Sequence, residues 1–275
     1  MFNHVPILLV LSRRKIGRTL YVCTPLVLVF LCFLWPTTPT TPTKPLANRI
    51  IVLDPGHGGV DSGSNHAGLI EKDITLLISE IIAQQIALDG GVPILTRTTD
   101  TALWEIVTIH EEIEYTKVEF AQDKAAGRAI HPLDRHIVLG TRTPPRYRLG
   151  LRARLLVAEK NQAEVLLSIH TNHYQQESAK GVLTLYQTGS QQSLLLAQAI
   201  QKHLGPLLPG RPEPGIITDD FYLLRQSDIP AVIIEIGFIS NTRDRTYMMS
   251  ADGQLAIALA VSKGLQAYFT TQDNL

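Results

Sequence analysis

The chain has 275 residues, with Lys+Arg and Asp+Glu equal at 25 each; this balance gives no support to a nucleic-acid or polyanion binder. A hydrophobic fraction of 45% is ample for a globular core. Both cysteines, Cys23 and Cys32, fall in an N-terminal apolar run, so the remainder can hold neither a disulfide framework nor a cysteine-ligated metal, and any metal there must sit on His and carboxylate.

In chain order, residues 1–19 form a short basic segment with Arg13, Arg14, Lys15 and Arg18. Residues 20–35, LYVCTPLVLVFLCFLW, carry no charge. The run is slightly shorter than the roughly 20 residues of an average bilayer span, a gap that snorkelling of Arg18 closes. Trp35 suits the interface. Basic residues ahead of the run predict a cytoplasmic amino end and an extracytoplasmic carboxyl side. No small-x-small cleavage site follows, which favours an uncleaved single-pass anchor in the cell membrane over a signal peptide. Residues 36–48 are rich in Thr and Pro and read as a stiff, extended spacer.

Residues 49–275 then read as one α/β domain. A first strand begins at Ile50. Glu71-Lys72-Asp73 opens a helix, with Ile74, Leu77, Ile78, Ile81, Ile82 and Ile86 at helical spacing and Gly90-Gly91 as its stop. A second strand spans 92–96. Residues 101–147 interrupt the alternation as an insertion. Its first half is acidic, and seven arginines (Arg128, Arg135, Arg142, Arg146, Arg148, Arg152 and Arg154) lie between 128 and 154. Leu103, Ile106, Ile113 and Phe120 predict a weakly amphipathic helix there. A connection of this length is usually functional or mobile. A helix over 151–160 leads into a strand ending at His170; a strand over 181–186, a helix over 193–203, a strand ending at Glu235 and a helix over 254–269 complete the chain. Strands alternating with helices predict a three-layer α/β fold, a mostly parallel central sheet with helices on both faces.

Three short apolar runs end on residues able to bind metal: IIVLDPGHGG on His57, VLLSIHTN on His170 and AVIIEIG on Glu235. Such runs read as strands buried on both faces, and chemistry in parallel sheets sits just beyond the carboxyl ends of the strands. Two histidines and a carboxylate at three such ends point to a metal-dependent enzyme.

The motifs DPGHGG from Asp54, GLIEKD from Gly68, SIHTN from Ser168 and EIGFISN from Glu235 resemble, in order, those of the zinc-dependent N-acetylmuramoyl-L-alanine amidases of bacterial cell walls. The anchored layout without wall-binding repeats is similar to the sporulation and germination amidases of spore-formers. The resemblance implies one zinc per chain on His57, Glu71 and His170, with Glu235 as catalytic carboxylate. It also implies a peptidoglycan substrate, cut between N-acetylmuramic acid and L-alanine, and leaves room for an activating protein partner. Arg154 and Asn172 match family positions and either touch substrate or pack. Asp54 either orients His57 or serves its turn. In the insertion, the arginines either meet stem-peptide carboxylates or coat a solvated excursion. The competing functions are another zinc peptidase acting on cell-wall peptides and an inactive wall-binding scaffold.

Overall fold

The computed structural model describes residues 44–210 and 215–274. The expected basic segment, the expected anchor and most of the expected Thr/Pro spacer fall outside the described residues. Among the described residues, no helix is long and apolar enough to cross a membrane.

Leu46, within the stretch read as spacer, is fully buried in the main core. From there the chain enters β1 (Ile50–Pro55). A two-strand hairpin of β2 (Asn65–His66) and β3 (Leu69–Ile70) leads into α1 (Glu71–Leu88), and β4 (Val92–Leu95) follows. The insertion contains a 3-10 turn (Leu103–Ile106), α2 (Ile109–Ala125) and α3 (Pro132–Val138). Then come α4 (Arg146–Lys160), β5 (Val165–Asn172), β6 (Leu183–Gln187), α5 (Gln191–Leu204), β7 (Ile216–Asp219), α6 (Tyr222–Arg225), β8 (Ala231–Phe238), α7 (Thr242–Met249) and α8 (Ala251–Gln272).

The main sheet has six strands in the order β4-β1-β5-β8-β6-β7. The first four run parallel to one another; β6 is antiparallel to β8, with β7 parallel to β6. β7 is four residues at the sheet edge, half-exposed and too short to announce itself in the sequence. The central strands β1, β5 and β8 are buried on both faces, which is why their sequences read as unbroken apolar runs. Leu53, Leu167, Ile169, Val232 and Ile234 face a large core shared with α1, α5 and α8, where Ile78, Ile82, Leu196, Ile200 and Val261 lie fully buried. Val52, Leu166, Ala231 and Ile233 face the opposite layer, against Leu155 of α4 and Leu223 and Leu224 of α6. The three-layer expectation therefore holds.

The insertion contains a helix, but Leu103 and Ile106 lie in the 3-10 turn ahead of it, Ile113 and Phe120 are only partly buried, and the most buried positions of α2 are polar. A Thr108–Glu111 capping box starts this helix. Its buried residues are then Glu112, Thr116 and Asp123, while Ile109 and Val118 are about half exposed. The cause lies in α4, which turns arginines toward it. Arg148, 2% exposed, donates from Nε to Glu112 Oε1 at 2.6 Å and also pairs with Asp134. Arg152 donates to the other Glu112 oxygen at 3.1 Å and pairs with Glu119. The Arg148 guanidinium lies 4.2 Å from the Tyr222 ring centroid. A hydrophobic stripe would have no partner on that surface. Removing one member of such a network strands the others, and losing a partner from a buried pair costs about 3–5 kcal/mol. Arg148→Met is therefore expected to lower unfolding free energy by about that amount in urea titrations; a loss below about 1 kcal/mol would show that the network carries no net stability.

Candidate metal centre

β1, β5 and β8 end side by side, and register explains what meets there. Asp54 is opposite Ser168, Ser168 opposite Ile233, and His170 opposite Glu235. Alternate residues of a strand share a face, so Asp54, Ser168, His170, Ile233 and Glu235 all line one cavity of about 590 Å³ on the α4 side of the sheet.

His57 reaches the same cavity from the turn after β1. Its own φ is +64°, left-handed, a conformation in which His is tolerated better than most residues. Gly56 is required by space: a Cβ there would stand 2.4 Å from the His170 ring. The two imidazoles meet edge to face with centroids 4.8 Å apart.

Glu71, 3% exposed, opens α1 between them. Its Oε1 lies 3.2 Å from His57 Nε2 and 3.2 Å from His170 Nδ1. The Thr171 amide donates to Oε1 at 3.0 Å and the Ser64 amide to Oε2 at 2.8 Å. Burial opposes its charge, yet the contacts with His170 and His57 hold the carboxyl well below the usual carboxylate range. One donor atom from each of His57, Glu71 and His170 lies within 4.8 Å of the others. Two imidazoles and a carboxylate suit zinc. The fourth polar group, Glu235, completes the test of fit. Its Oε2 is buried without a hydrogen-bond partner among the described residues, and burial pushes its carboxyl up to about 7, against the opposing pull of His170. A buried carboxylate oxygen left open beside a His-Glu-His set fits a centre that handles protons next to a bound cation.

Three surrounding residues have two readings each in the sequence: Asp54, Arg154 and Asn172. The ring of His57 is oriented by Asp61, whose Oδ2 lies 3.0 Å from Nδ1, and not by Asp54. Asp54 instead accepts from Thr96 Oγ1 at 2.6 Å, Ser168 Oγ at 2.6 Å and Arg154 Nε at 2.8 Å. Burial works against its charge, but Arg154 and the two hydroxyls hold its carboxyl below the usual range. Arg154 borders the cavity yet is already committed, donating also to the carbonyls of Gly150 and His57 at 2.9 Å each. It braces the His57 turn rather than waiting for a ligand. Asn172 closes β5, takes the His173 amide on its side chain and is not among the residues lining the cavity.

Two contributors went unread. Besides Asp61, Arg97 is 3% exposed and donates to the carbonyls of Pro55 at 3.0 Å, Gly56 at 2.9 Å and Lys72 at 2.7 Å. It ties the His57 turn to the start of α1, and so to Glu71. Its only sequence signal was its place just past the second strand's end.

The chain is similar to known proteins over most of its length. The germination-specific N-acetylmuramoyl-L-alanine amidase of Bacillus subtilis (strain 168) is 28% identical over 230 residues, covering 84% of each chain. An uncharacterized B. subtilis protein, YqiI, is 29% identical over 227 residues, 82% of this chain and 87% of that one. Among solved structures, the CwlD amidase from Clostridioides difficile, in complex with the GerS lipoprotein, superposes with a TM-score of 0.63 at 28% identity, covering 82% of this chain and all of that one. The family model described as N-acetylmuramoyl-L-alanine amidase matches residues 51–267, a span that holds every strand of the sheet but the first residue of β1; the chain belongs to that family.

Proposed function

We propose that His57, Glu71 and His170 hold one zinc ion, and that Glu235 moves the proton as the amide between N-acetylmuramic acid and L-alanine of peptidoglycan is hydrolysed. One observation carries this reading: Glu235, whose buried Oε2 has no hydrogen-bond partner among the described residues, lines the same cavity as His57 and His170, the two histidines that converge with Glu71 as a donor set. A zinc ion bound there supplies a Lewis acid for the amide carbonyl and lowers the pKa of water to about 7.

The chain's own residues do the rest. The amides of Ser64 and Thr171 fix the Glu71 carboxylate, and Asp61 holds the His57 ring with Nε2 toward it. Arg97 and Arg154 keep the His57 turn in place through its carbonyls. Glu235 takes a proton from water as its oxygen bonds to the acyl carbon, and returns it to the L-alanine nitrogen as the C–N bond breaks. Proton transfer of this kind is worth about 10²–10⁴-fold in rate.

Product analysis tests the reading. Purified peptidoglycan treated with the protein should gain free L-alanine amino termini with the glycan intact, lose that activity to a chelator and regain it with zinc. New termini from other residues would mark a different peptidase, and no product with zinc present would mark a scaffold.

The setting is part of the same proposal. Action in spore germination, on cortex peptidoglycan, is supported by the relative named as germination-specific. An activating protein partner is supported by the CwlD complex with GerS. The anchor at 20–35 rests on its apolar run and basic flank. Full-length protein should pellet with membranes and resist salt extraction, whereas a chain starting at Lys44 should be soluble and folded. A start at Asn48 removes fully buried Leu46 and should cost about 1.5–3 kcal/mol of stability. Full-length protein found in the soluble fraction would remove the anchor.

A further inference from the structure

We propose that Arg146, held over Trp104 at the wall of the catalytic cavity, binds a carboxylate on the peptide side of the substrate and so sets which end of the substrate lies where. The proposal deepens the amide-cleaving reading and rests on it. Arg146 lines the same cavity as His57, His170 and Glu235. Its guanidinium lies 5.5 Å from the Trp104 ring centroid, which fixes its place. The other basic groups near the wall are spent. Arg148 and Arg152 are paired with Glu112, Arg154 with Asp54, and Lys72 with Asp100. Arg146 makes no ion pair with any described residue, and it is exposed.

Two further features favour an anion at this position. Arg146 is the first residue of the 15-residue α4, whose N-cap, Pro145, makes no side-chain capping hydrogen bond and whose first turn holds no acid. The helix start is thus left electropositive. Around it, the wall is apolar, with Leu103, Leu151, Phe221 and Leu223, so a charge entering this lobe must find a partner. The acids of the cavity are already engaged or deeper: Asp61 faces His57, Asp54 faces Arg154, and Glu235 is buried.

The substrate's chemistry then assigns the end that is read. The lactyl carboxyl of the muramoyl group is the acyl half of the scissile amide, and N-acetylated sugars are neutral. Carboxylates remain only on the peptide side. A guanidinium in this lobe therefore draws the peptide toward α4 and leaves the glycan on the opposite side of the scissile bond.

The test compares zinc-loaded full-length protein on purified peptidoglycan, untreated and after carbodiimide amidation of its free carboxyls, reading released L-alanine amino termini. Wild type should prefer the untreated polymer. Arg146→Gln should lose roughly tenfold on untreated polymer, mostly as raised KM, and change little on amidated polymer, because hydrogen bonds to charged groups contribute that order of discrimination. Arg146→Lys should fall between, lacking the planar fork. Little change in thermal melting is expected for either, since the side chain is exposed, makes no ion pair and has only the Trp104 contact to lose. Equal loss on both polymers, or no loss on either, overturns the proposal while leaving the amidase reading intact. No L-alanine termini from wild type on untreated polymer overturns both.

Discussion

Glu235→Gln is expected to leave zinc bound and the fold intact while turnover falls by about 10²–10⁴-fold. The amide matches the carboxylate in shape but cannot accept a proton from water, so only the chemical step should suffer. The loss should appear in kcat with KM little changed. Burial raises this carboxyl to about 7 in the metal-free protein, and that shift makes a second expectation. A group whose folded pKa lies above its unfolded value stabilises fully below the unfolded pKa, and the contribution is lost as pH rises through the folded one. For Glu235 that window runs from about pH 4.5 to about 7. Metal-free Glu235→Gln lacks the titration, so its melting temperature should gain on the parent's across those pH values. Charge burial tolerated for function is a common source of such a trade. Turnover within a few-fold of the parent would remove Glu235 from the proton-transfer role. A melting difference independent of pH would show that the buried carboxyl is not strained by burial.

Three residues of the proposed site, His170, Glu235 and Glu71, were legible because each sits on a strong local signal. His170 and Glu235 end unbroken apolar strands, and Glu71 begins a long helix whose isoleucines recur at helical spacing. Such patterns depend only on near neighbours in sequence. What stayed hidden depends on partners far apart. Glu112 lies 36 residues from Arg148 and Tyr222 lies 70 from Arg152, so nothing in α2 announces that its acidic face turns inward. Periodicity pointed to a helix but drew two of its four positions from the 3-10 turn ahead of α2, and it missed the buried polar positions, because a polar face can be the buried one wherever the opposing surface carries compensating charge. Arg154 shows the same limit. Its position matched a family arginine, but whether a guanidinium meets substrate or a buried Asp54 100 residues away is decided only in space. Arg146 is the converse: one of the seven arginines between 128 and 154, distinguished by being the cavity-lining one that makes no ion pair with a described residue.

Loss of either histidine is expected to abolish both zinc binding and activity, and the two variants need different designs. His170 lies on an extended strand, so His170→Ala removes the ring without backbone cost. His57 has φ of +64°, where alanine adds strain of about 1–2 kcal/mol. Asparagine accepts that conformation, so His57→Asn separates ligand loss from turn collapse. Each variant leaves Glu71 with one imidazole, and a two-ligand remnant does not make a catalytic zinc site. A ligand that binds only the folded state stabilises by mass action, by about 2.7 kcal/mol at a hundredfold excess over Kd. Added zinc should therefore raise the parent's melting temperature and leave those of His57→Asn and His170→Ala unmoved. Asp61→Asn should fall between, because a group that orients a liganding ring typically accounts for 10–100-fold in metal affinity. The graded series separates a metal centre from a buried ion-pair cluster. If His57, Glu71 and His170 were only a structural hydrogen-bond triad, the variants would lose stability in the absence of metal and zinc would move none of the melting curves, the parent's included. Full zinc occupancy in both histidine variants would place the metal elsewhere.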